Sequence, residues 1–178
     1  MDLPTLTALR RIWQGRRPFI ALSHVACPAP PPASSLSRAT SAEGYDGKPV
    51  MLRTRALAAY RAMAAAARAQ SPAIARDPRL MTIFSAYRSP EYDAGRCVRD
   101  GNCNGIVRAR CSAHRTGLAM DIYLGAAPGE APDSSDDANR LFISQGPAYR
   151  WMIHNAGRFG FVNYPFEPWH WEWVGEAP

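Results

Sequence analysis

Apolar residues recur every three or four positions from about Leu52 to Gln70, through Leu52, Ala56, Ala59/Tyr60, Met63 and Ala66/Ala67. That spacing predicts an Ala-rich amphipathic helix burying one face, stopped by Ser71-Pro72. Leu80-Met-Thr-Ile-Phe-Ser-Ala-Tyr is a β-branched and aromatic run, predicted as a strand that delivers Arg88 at its end. A second buried strand is expected from Gly117 to Leu124, closed by Gly125. Helical periodicity returns from Asn139 to Ala156 and stops before Gly157, and Phe159–Asn163 and Trp169–Val174 supply two further strands. Pro90 to Arg110 reads as loop or broken helix, and 125–137 as a flexible loop. Short strands mixed with helices, without regular alternation, predict an α+β fold: a small antiparallel sheet with flanking helices.

Residues 1–43 read as an N-terminal appendage with a Pro-rich linker, and 44–178 as the functional domain. The run from Cys27 to Ser35 holds too many prolines for helix or central strand and is expected to lie extended over the surface. With 178 residues, 47% of them hydrophobic, the chain can bury one good core. No apolar run reaches the ~18 residues of a membrane-spanning helix, so no transmembrane segment is predicted. The N-terminus carries no clear signal peptide, since Phe19–Leu22 is too short for its apolar stretch.

The net charge of +6 is almost wholly arginine, with Lys48 the single lysine. Those arginines are scattered and not interleaved with aromatics, so no nucleic-acid partner is expected. Abundant Ala and Pro make compositional bias the simpler account of the excess. Of the four cysteines, Cys97, Cys103 and Cys111 crowd one segment. They predict a local disulfide, Cys97–Cys103 or Cys103–Cys111, with Cys27 apart. A structural zinc site of Cys97, Cys103, Cys111 and His114 is an alternative, although its spacing matches no common zinc finger.

Two segments carry chemistry: Ser112-Ala-His-Arg-Thr-Gly-Leu-Ala-Met-Asp121 and Glu167-Pro-Trp-His-Trp-Glu-Trp173. A catalytic zinc takes three protein ligands and leaves a position for water, with a carboxylate nearby to accept the water's proton. Asp121 lies between Met120 and Ile122, where an unpaired charge is costly to bury and a cation would relieve it. His170 lies between two tryptophans. Each residue alone has a bland reading: a hydrogen-bonded core histidine, a salt-bridged aspartate, a loop histidine. Spacing alone leaves metal site and salt-bridged core both standing.

The ordered motifs resemble a family. Ser112-x-His114-x-x-Gly117-x-Ala119-x-Asp121, followed by Glu167-Pro-Trp-His170-Trp, is similar to the two signatures of the zinc D-alanyl-D-alanine carboxypeptidase/dipeptidase family typified by the VanY and VanX enzymes. Ser85-Ala-Tyr-Arg88-Ser resembles its upstream arginine motif, and Ala148–Phe161 the stretch before its last motif. The likeness spans roughly residues 45–175. It implies a hedgehog/D-Ala-D-Ala peptidase-like fold with one Zn2+ held by His114, Asp121 and His170. It further implies Glu167 as general base, Arg88 at the developing oxyanion and Ser112 as a substrate contact or loop-orienting residue. The implied substrate is the peptidoglycan stem peptide, cut by a monomer in the periplasm or cell envelope. The leading expectation is removal of terminal D-Ala. A peptidoglycan endopeptidase and a non-catalytic wall-binding module are the alternatives.

Strand parity adds a rival. If 167–173 were uniformly extended, Glu172 rather than Glu167 would share the face of His170. Pro168 predicts an irregular start, which frees Glu167 from that parity and keeps it the expected base. The cysteine-bearing segment 93–111 departs from the family pattern and bears on the cleft beside it.

Overall fold

The computed structural model describes residues 29–101, 112–164 and 166–175. Cys27, Cys103, Cys111 and the side chain of Cys97 lie outside the described residues, so the expected disulfides and the alternative cysteine zinc site lie there too. So does the early part of the N-terminal appendage.

Among the described residues there are six short strands and five α-helices. Strands β1 (Leu36–Arg38) and β2 (Met51–Arg53) make a two-stranded antiparallel ribbon. The main sheet is antiparallel, in the order β3 (Ile83–Ser85), β4 (Ala119–Ile122), β6 (His170–Trp173), β5 (Phe161–Asn163). Helices α1 (Thr54–Gln70), α2 (Pro72–Arg76), α3 (Pro90–Arg99), α4 (Asp137–Gln145) and α5 (Pro147–Asn155) surround these strands. The α+β expectation therefore holds.

Local departures have local causes. The ribbon was not read from sequence, because three-residue strands show no full period. It brings residues before Gly44 against the domain, and Ala39 joins the core. The helix predicted from Asn139 to Ala156 is two helices, α4 and α5, divided at Gly146-Pro147. Gly146 is extended at φ −69°, ψ 153°, and Pro147 opens the second helix, where its missing N–H costs nothing. Ser89 caps α3 by accepting from the Tyr92 N–H, so the segment expected as loop or broken helix opens as helix.

The core lies against one face of the main sheet. Met120 pairs with Trp171 and Phe161 with Trp173, and these residues pack with Tyr60, Met63, Tyr149 and Met152 from the helices. Alternation sends Asp121, His170 and Glu172 to the opposite face. Strand β3 slips register between Ile83, opposite Ile122, and Ser85, opposite Asp121. That irregularity lets Ile83 stay in the core while Ser85 joins the polar row.

Candidate metal centre

Asp121 and His170 are direct cross-strand partners, so their side chains leave the sheet on one face within reach of each other. His170 Nδ1 lies 2.9 Å from Asp121 Oδ1. His114 arrives from a 3-10 turn, Ala113–Thr116, whose N-terminus is capped by the Ser112 Oγ accepting from the His114 N–H. Gly117 ends the turn at φ +71°, a left-handed conformation that favours glycine, and a Cβ there would crowd Leu36 Cδ2 at 2.9 Å. His114 Nε2 then lies 3.2 Å from Asp121 Oδ2. The three residues are buried, and their potential ligand atoms lie within 4.8 Å of one another.

Hydrogen bonding fixes what these atoms can do. The Ala86 carbonyl, 2.8 Å from His114 Nδ1, can only accept, so Nδ1 carries a proton. Burial first, then Arg88, pulls the His114 imidazole down to about 4, so the ring is neutral. Its Nε2 thus turns a lone pair toward a carboxylate oxygen that also has only lone pairs. A cation belongs between two such acceptors. Two ligands of a tetrahedral centre at about 2.0–2.1 Å from the ion would stand about 3.3 Å apart, close to the observed spacing. Burial alone would raise the Asp121 carboxyl, but the two histidines outweigh it and hold it well below its usual range. Burial likewise opposes charge on His170, yet its hydrogen bonds to Asp121 and Glu172 prevail and push it up to about 10. An imidazolium proton therefore stands at Nδ1, where a metal ion would replace it.

Other expected residues gather around this triad. Arg88 sends Nη2 to Asp121 Oδ2 at 3.0 Å and Nε to Ser85 Oγ at 3.1 Å, while its backbone N–H donates to the His114 carbonyl. Glu167 stands in a turn rather than a strand, as Pro168 suggested: the His170 N–H donates to its carbonyl at 2.9 Å. Burial raises its carboxyl above the usual range, with His170 and Arg88 opposing the rise and Asp121 adding to it. Ser112, expected as substrate contact or loop-orienting residue, accepts from the His114 N–H at 3.3 Å.

Sequence reasoning missed Asn163. Its side-chain amide donates to the carbonyls of His170 at 2.8 Å, Glu167 at 3.3 Å and Pro168 at 3.4 Å, while its Oδ1 accepts from the Tyr149 hydroxyl at 3.1 Å. This buried asparagine pins the turn that carries Glu167. An Asn beside the apolar Phe161-Val162 was the available signal.

Comparison with known proteins follows the same lines. Residues 49–176 match the VanY family, described as D-alanyl-D-alanine carboxypeptidase. No curated protein matches. Among solved structures, the LdcB LD-carboxypeptidase, whose structure concerns peptidoglycan recognition, is 25% identical with a TM-score of 0.50. That match covers 70% of this chain and 60% of the LdcB chain, so this chain spans less than two thirds of its length. The vancomycin-resistance D,D-pentapeptidase VanY, solved in complex with Zn(II), is 23% identical over 82% of this chain and 83% of its own, with a TM-score of 0.46. VanYB in complex with D-Alanine-D-Alanine gives 22% identity over 82% of each chain and the same TM-score.

Proposed function

The chain belongs to the VanY D-alanyl-D-alanine carboxypeptidase family, and from that membership we propose that it is a zinc-dependent carboxypeptidase trimming D-Ala from peptidoglycan stem peptides. The observation that carries this reading is the facing of His114 Nε2 and Asp121 Oδ2, two acceptors 3.2 Å apart in a buried site. With His170 Nδ1 they make the His-Asp-His donor set that suits catalytic zinc, which leaves a coordination position for water. VanY itself has been solved with Zn(II). Bound there, zinc supplies Lewis-acid polarisation of the scissile carbonyl and activation of water.

The chain's own residues do the rest. Glu167, half-buried in the turn whose carbonyl receives the His170 N–H, takes the proton from the attacking water and passes it to the leaving amine. Its raised carboxyl suits both halves of that transfer. Arg88 is held by Ser85 and Asp121 with its guanidinium at the metal ligands, where it stabilises the developing oxyanion. No nucleophilic serine or cysteine is required. A wall substrate places the protein outside the cytoplasm; among the described residues no helix is long and apolar enough to cross a membrane.

A second reading, cleavage of an L,D bond one residue further in, is favoured by the likeness to the LdcB LD-carboxypeptidase. Mass spectrometry of purified muropeptides, incubated with the zinc-loaded protein, separates these. Pentapeptide stems losing one alanine support the D,D activity, and tetrapeptide stems losing one support the L,D activity. Internal cleavage would assign an endopeptidase, and unchanged muropeptides would leave a binding module. Glu167→Ala is expected to abolish turnover while retaining zinc in metal analysis; retained turnover would exclude Glu167 as the base.

A further inference from the structure

Glu172 is the buried carboxylate to which this mechanism gives no task. It pairs across the strands with Ala119, as His170 does with Asp121, so the two side chains leave β6 on the same face. Its Oε1 lies 3.0 Å from His170 Nε2. The residue is 2% exposed, is flanked by Trp171 and Trp173, and among the described residues its Oε2 has no hydrogen-bond partner. A carboxylate so placed is costly unless a cation answers it. The His170 ring lies against it, and the other ring nitrogen faces Asp121.

We propose that Glu172 is a positioning residue for the metal: its Oε1 accepts the Nε2 proton of His170 and so fixes the imidazole with Nδ1 turned toward Asp121, where the ion would be held with His114 Nε2. An imidazole with Nε2 bonded to a carboxylate has its tautomer and its ring rotation set before the ion arrives, and its Nδ1 becomes the better donor. The Ala86 carbonyl does the same for His114 through the opposite nitrogen, Nδ1. The two rings thus present different nitrogens, each freed by a partner behind it. The geometry also separates Glu172 from the role of general base. Its bonded oxygen stands at Nε2, not at the nitrogen facing Asp121.

The inference rests on the zinc reading above, and the test keeps the two apart. The wild-type chain, Glu172→Gln and Glu172→Ala are stripped with chelator, and their zinc affinity is measured by competition with a chromophoric chelator. Denaturant unfolding of each metal-free protein is followed in parallel. Zinc affinity is expected to fall by up to about 100-fold in Glu172→Ala and by about 10-fold in Glu172→Gln, whose amide carbonyl still accepts the Nε2 proton but without charge. The visible spectrum of the cobalt(II)-loaded Glu172→Gln is expected to keep the wild-type band shape, since the ring stays oriented. Equal zinc affinity in Glu172→Gln and wild type overturns the proposal, whether or not Glu172→Ala folds. So does loss of turnover in Glu172→Gln with zinc affinity unchanged, which would make Glu172 the base. A wild-type chain that binds no zinc overturns the metal reading itself.

Discussion

Burial opposes charge on both His114 and His170, yet their protonation states differ because their partners differ. His114 bonds a neutral carbonyl and stays uncharged; His170 lies between two carboxylates and takes a proton. This contrast cannot be read from the motifs, which give residue types but not which atom faces which. The motifs did make His114, Asp121, His170, Glu167 and Arg88 legible, and the parity of β6 made Glu172 visible as a neighbour of His170. Asn163 was not legible, since its importance lies in three carbonyls that converge only after the turn forms. Arg88 carries a prediction at this scale. Replacing it with alanine removes one donor to the oxyanion, so kcat for D-Ala release is expected to fall about 10²–10³-fold. KM should move little and zinc should stay bound in metal analysis, because His114, Asp121 and His170 are untouched.

Elements were legible in proportion to their length. Helix α1, with Ala56, Tyr60, Met63 and Ala67 on its buried face, was plain from its period. The three-residue β1 and β2 exist only as a pair, and no local pattern announces a partner. Pro147 divides α4 from α5 in what otherwise reads as one continuous helical period. The 3-10 turn Ala156–Phe159, which follows α5, ends at Gly160, with φ +85°, and a Cβ there would stand 2.8 Å from Trp173 Nε1. That indole donates to the Phe159 carbonyl at 3.0 Å, so the turn and β6 are locked edge to edge. Gly160→Ala combines left-handed strain with this clash and is expected to cost about 2 kcal/mol. Urea unfolding of the metal-free protein measures it; a change under about 0.5 kcal/mol would mean that the turn relaxes freely.

Across the whole molecule, Glu43 ties three parts together. Its carboxylate takes Arg61 of α1 through both oxygens, at 2.7 and 3.0 Å, and accepts the Thr40 N–H, while its carbonyl receives the Ile83 N–H of β3. The hydrogen bonds from Arg61 outweigh burial and lower the Glu43 carboxyl below 4.5. A group lowered in the folded state stabilises it above the unfolded value and stops doing so as pH falls through the folded one. Glu43→Gln is therefore expected to lose up to about 1 kcal/mol at pH 7, discounted for the exposure of Arg61. Urea titrations at descending pH should show that difference closing as the pH falls through the lowered folded-state value of the Glu43 carboxyl. A gap that persists in acid would assign the loss to packing instead. The same long reach marks the metal centre, where Asp121 and His170 stand 49 residues apart in the chain. An ion held there behaves as a removable cross-link between β4 and β6, closing a loop whose entropy the unfolded chain would otherwise keep. Every factor of ten by which free zinc exceeds the dissociation constant then adds about 1.4 kcal/mol to the folded state. Scarcity of the ion would shorten the protein's lifetime among proteases as well as silence its chemistry.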